Sequence, residues 1–195
     1  MNDFGLYFNL GWNHIISWDA LDHLLFITAL ASVFIFKEWK KVLILVTAFT
    51  IGHSLTLALS VLNIVRINSS LVEFLIPLTI VITSIYNLFL NRKTKNIIWN
   101  YLIALFFGFI HGLGFANNIR FMLADEQSIG VPLFSFNAGL EAAQLVVVLI
   151  ILIITQLILS LKISKQYYAI TVSAIVMLIA VWMTIERFPM LNNNN

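Results

Sequence analysis

Apolar residues gather into six long runs, near residues 20–36, 42–62, 71–90, 97–116, 133–161 and 167–185, with polar residues concentrated between them. Runs of about 20 predominantly apolar residues are the signature of helices that cross a membrane. The first run is short, close to the lower length limit for a span. The fifth is long, which implies tilt or a start outside the hydrocarbon. Pro77, one turn into the third run, has no N–H to give the helix. It predicts a kink and a freed carbonyl that neighbouring groups must satisfy. Ahead of the first run, residues 1–18 mix Phe4, Tyr7, Phe8, Trp12, Ile15 and Ile16 with Asn2, Asp3, Asn9 and Asn13. That mixture predicts a short helix lying in the membrane interface. The expected architecture is one all-α membrane domain over residues 1–195. It is a six-transmembrane-helix bundle preceded by a short N-terminal interfacial helix (residues 1–18).

Composition agrees with the pattern. Hydrophobic residues make up 61% of the chain and charged residues only 10%, against roughly 25% charged in soluble domains. There is no cysteine, which excludes disulfides, thiolate metal sites and cysteine nucleophiles. The first basic residue, Lys37, follows the first run, so the charged start of a secretory signal is not expected. The net charge of +2 comes from connector lysines and arginines, not from a patch suited to nucleic acid. Lys37, Lys40, Lys41, Arg92, Lys93, Lys95, Lys162 and Lys165 fall on one side of the predicted membrane, and Arg66, Arg120 and Arg187 on the other. The positive-inside rule then places both termini outside.

The candidate chemistry lies in the few ionisable groups that interrupt the runs. Asp22 and His23 open the first run, Glu73 falls in the first turn of the third, and Glu141 about two turns into the fifth. His53 and His111 lie roughly 13 Å and 8 Å below the outer ends of their helices, at about 1.5 Å of rise per residue. His14 sits just ahead of the first run. All four histidines and three acids therefore fall in one outer layer. A single membrane histidine commonly serves as an interhelical hydrogen bond, but the convergence of the set favours a shared site. Asn137, Glu141 and Gln144 share a helix face, and so do Thr50, His53 and Thr56. These polar neighbours are candidates to support the ligands. Gly108, Gly112 and Gly114 flank His111 and allow another helix to approach closely. Imidazole with carboxylate suits divalent first-row metals such as Ni, Co, Zn, Fe or Cu.

These residues resemble the HupE/UreJ family of small bacterial membrane proteins. The matching stretches are Asp22-His23-Leu24-Leu25-Phe26, residues 47–57 around His53, Val72-Glu73, residues 111–116 beginning at His111, and residues 136–141 ending at Glu141. The family is regarded as secondary nickel or cobalt permeases found near hydrogenase or urease maturation genes. The resemblance implies metal uptake across the bacterial inner membrane. By position, His14, Asp22, His23, His53, Glu73, His111 and Glu141 take the ion-carrying roles. The sequence departs from the family at Ser17-Trp18-Asp19-Ala20-Leu21, where small residues are usual, and in lacking a histidine-rich tail.

A divalent-metal permease is the leading expectation, with the lipid bilayer, the metal ion and a cytoplasmic metallochaperone as partners. The first alternative is an intramembrane metalloenzyme, with Zn or Fe activating water and Glu73 or Glu141 as general base. The second is a metal-binding or assembly protein without turnover.

Overall fold

The computed structural model describes residues 3–89, 97–115, 119, 122 and 129–188, apart from the side chains of Asp3 and Asp19. The connector charges Arg92, Lys93, Lys95, Arg120, Asp125 and Glu126 lie outside the described residues. The regular structure within them is helical: α1 (Asp3–Ile16), α2 (Leu21–Ala31), α3 (Trp39–Val61), α4 (Ser69–Phe89), α5 (Ile97–Gly114), α6 (Gly130–Ser160) and α7 (Lys165–Arg187). Short 3₁₀ turns at Trp18–Ala20 and Phe36–Glu38 lead into α2 and α3. Helices α3 to α7 are long and apolar enough to cross a membrane.

Among the described residues, the expected count of six spans is corrected to five. The first apolar run folds as α2, only 11 residues long, or about 16 Å of helix. That is far short of a hydrocarbon core of about 30 Å. The run is apolar because it is enclosed by protein. Ser32, Val33 and Phe34 beyond the helix are buried, and most of α2 is shielded against α4, α6 and α7. The helix stops where two side chains bind one carbonyl of its last turn. Asn87 of α4 donates to the Ala29 carbonyl at 2.7 Å and the Ser32 hydroxyl donates to it at 3.2 Å. These bonds satisfy an acceptor that the helix end leaves open.

Helix α1 is packed on the bundle through Tyr7, Gly11 and Ile15, a buried face at four-residue spacing. A Cβ on Gly11 would collide with the Phe136 carbonyl, and one on Gly139 with the Phe8 carbonyl, so α1 and α6 meet main chain to main chain. Gly52, Gly108 and Gly112 join α3 to α5 in the same way, in parallel register. Helix α6 has 31 residues, about 46 Å, and so extends beyond a hydrocarbon core. Helix α7 packs along α4, with the Phe74 and Phe188 rings 5.9 Å apart at one end. At the opposite end of the bundle, the Glu38 carboxylate binds Lys41 and Lys165, both at 2.8 Å.

Candidate metal site

The last turn of α1 supplies His14, the first turn of α2 His23, the middle of α3 His53 and the last turn of α5 His111. Each helix is held in place by the glycine contacts and helix ends described above. His14, His23 and His53 can each direct one ring nitrogen to a common point, all three within 4.8 Å of one another. The His14 and His23 ring centroids are 4.7 Å apart, and His111 stands 5.1 Å from His23 on the other side. Phe115 and Phe136 wall the cluster beside His14, while Phe26 and Phe49 pack under His111.

Hydrogen bonds assign the free lone pairs. Asp22 Oδ1 accepts both the His23 main-chain N–H at 2.8 Å and His23 Nδ1 at 2.9 Å. The carboxylate holds the proton on Nδ1 and leaves Nε2 as the basic nitrogen, the arrangement that supports a metal-binding imidazole. The Thr79 hydroxyl donates to the Ile76 carbonyl at 2.6 Å, so its oxygen accepts from His111 Nε2 at 3.1 Å. The lone pair of His111 is then on Nδ1. His14 Nε2, His23 Nε2, both nitrogens of His53 and Nδ1 of His111 are buried without a hydrogen-bond partner among the described residues. A buried polar atom left unpaired costs about 1–3 kcal/mol. Gathering several in one place makes sense when a cation satisfies them together. Burial, reinforced by the neighbouring His23, lowers the His14 imidazole from 6.5 to about 3. His14 is therefore neutral, as a ligand must be.

A cavity of about 470 Å³ opens beside the cluster and is lined by His14, Asp22, His23, His111, Glu73 and Arg187, among others. Asp22 Oδ2 lies 3.6 Å from Arg187 Nη1. Glu73 stands on the cavity wall with an exposed residue surface, and its main-chain carbonyl accepts from Arg187 at 3.1 Å.

The structure thus gathers six of the seven sequence candidates around one cavity or its histidine wall, and separates the seventh. Glu141 accepts from Thr47 at 2.6 Å and lines a different hollow of about 600 Å³ with Thr50, Ser54 and Asn137. Gln144 accepts from Thr50 at 2.8 Å, so this polar face of α6 binds α3 away from the histidines. Asn137 donates to the Leu133 carbonyl at 2.8 Å. The Thr56 hydroxyl is 3.1 Å and 3.2 Å from the carbonyls of Gly52 and His53. Two contributors were not among the candidates. Arg187 reads in the sequence as a connector charge, and Thr79 as one more small residue of an apolar run. The turn that Pro77 disturbs precedes it, at Glu73, so nothing in the sequence singles out Thr79.

Fold and site together define a multi-pass, all-α membrane protein with a buried histidine cluster able to hold a metal ion. Residues 1–187 match the family described as HupE / UreJ protein, and the chain belongs to that family. No curated protein and no solved structure matches it.

Proposed function

We propose that the protein is a secondary transporter for a divalent transition metal, nickel or cobalt, in the bacterial inner membrane. The observation that carries this reading is the meeting of His14, His23 and His53, with ring nitrogens within 4.8 Å and unpaired, beside an open cavity. The ion is cargo, held by the imidazoles of His14, His23 and His53, with His23 oriented by Asp22. Borderline nitrogen ligands favour nickel and cobalt over magnesium or calcium. The lysines at the Glu38–Lys165 end argue for a cytoplasmic position of that end, and so for a cavity that faces outward. Helix α4 offers polar groups below the site, Thr79, Thr83 and Asn87, which line up toward the inner half. A cytoplasmic metallochaperone would receive the ion there.

The test is uptake of cobalt and nickel into liposomes containing purified protein, alongside metal content by elemental analysis. Wild type accumulates the ion, while His23→Ala and His53→Ala neither retain nor transport it. Retention without uptake would favour a second reading, a metal-dependent enzyme. The cavity is wide enough to admit a substrate to a three-histidine metal, with Glu73 on its wall as general base.

A further inference from the structure

Arg187 ends α7 between two acceptors that the other described residues leave open. Its Nη1 donates to the Glu73 carbonyl at 3.1 Å. That carbonyl is free because Pro77, four residues on, has no N–H to bond it. The same Nη1 is 3.6 Å from Asp22 Oδ2. This is the carboxylate oxygen that His23 does not use, since both His23 bonds go to Oδ1. Arg187 lines one cavity with His14, His23 and His111, and a guanidinium keeps its charge at any physiological pH.

We infer that Arg187 is a tethered counter-ion: it holds Asp22 while the cavity is free of divalent metal, and weakens the grip on the ion once one arrives. The inference rests on the metal-site reading above. Asp22 is the acid in contact with the histidine cluster, and Arg187 balances its charge. An entering divalent ion then meets imidazoles whose neighbouring carboxylate, Asp22, is already charge-balanced, with Glu73 as the other described carboxylate on the cavity wall. Its affinity rests mainly on the nitrogen donors and is opposed by the like charge of Arg187 on the cavity wall. Transport requires that limit, because an ion bound too tightly does not leave. The proline serves the same purpose at one remove. By freeing the Glu73 carbonyl it gives the guanidinium a neutral anchor, so Arg187 stays at the cavity even when a metal ion repels it from Asp22. Arg187 is accordingly a positioning residue, not a ligand.

Cobalt binding and liposome uptake of wild type, Arg187→Gln and Arg187→Lys test the inference. Arg187→Gln is expected to bind cobalt about tenfold more tightly, with KM and kcat for uptake both lowered. Arg187→Lys keeps the charge and restores values close to wild type, a rescue that a merely structural role would not produce. A metal-free arm uses Pro77→Ala, which returns an N–H to the Glu73 carbonyl. Arg187→Gln should then cost less thermal stability in the Pro77→Ala background than alone. Unchanged or weaker cobalt binding by folded Arg187→Gln overturns the counter-ion role and leaves the histidine site standing. Strictly additive stability effects overturn the tether. If wild type binds no cobalt, the metal-site reading falls and this inference falls with it.

Discussion

The main-chain carbonyl of His53 fills the space that a Cβ on Gly112 would take, so the histidine-bearing turns of α3 and α5 touch through their backbones. Backbone cannot swing aside as a flexible side chain can. Gly112→Ala should therefore push α3 and α5 apart, lower stability by about 1–3 kcal/mol and weaken cobalt binding. Gly5→Ala is the matched control, because a Cβ there meets nothing within 4 Å. It should raise stability by up to about 1 kcal/mol through helix propensity. Thermal unfolding in detergent separates the two.

Asp22 acts on the site through His23. Asp22→Asn keeps an oxygen acceptor for Nδ1–H but removes the charge that makes the imidazole a stronger donor to metal. Cobalt affinity should fall about 10–100-fold, the usual cost of losing such a support. Titration calorimetry on the folded variant measures it, and an unchanged affinity would detach Asp22 from metal binding.

Glu141 gives the opposite expectation. Its bond from Thr47 at 2.6 Å joins α3 to α6, so Glu141→Gln should lower stability by about 1 kcal/mol while bound cobalt persists. Loss of the cobalt by a folded Glu141→Gln protein would return this residue to the ligand set.

Glu141 also shows where the sequence stops being informative. Helical rise converts position into depth, and depth placed Glu141 level with the histidines. Depth says nothing of which way a helix is turned about its axis, and α6 is turned so that Glu141 and Gln144 meet Thr47 and Thr50. The four histidines were legible because every one of them fell in the same layer, and no rotation of their helices had to be assumed to see that. Gly108 and Gly112 were legible too, since small residues beside His111 could serve only close approach. Helix α2 was misread because hydropathy does not distinguish lipid contact from burial inside protein. Leu25, Phe26 and Ile27 look like a span and are core. Arg187 was invisible as a participant because its two acceptors come from remote segments, one of them a carbonyl released by Pro77.

His14 links the site to pH. Its imidazole is lowered from 6.5 to about 3 by burial and by His23, so the folded protein resists the proton that the unfolded chain accepts. The stabilising contribution is complete above about pH 6.5 and is lost progressively as pH falls toward 3. Metal-free protein should lose at most about 1.4 kcal/mol per pH unit from this residue across that range. His14→Gln should flatten the profile measured by thermal unfolding between pH 7 and pH 4.5, and an identical slope in that variant would contradict the assignment.

X-ray absorption at the cobalt edge of cobalt-loaded protein tests the histidine site most directly, because imidazole scattering reports the ligands themselves. The three-histidine site predicts a single bound cobalt with scattering from three imidazoles in wild type, and loss of the metal in His53→Ala. Cobalt bound only by oxygen, or a spectrum unaltered in His53→Ala, would contradict it.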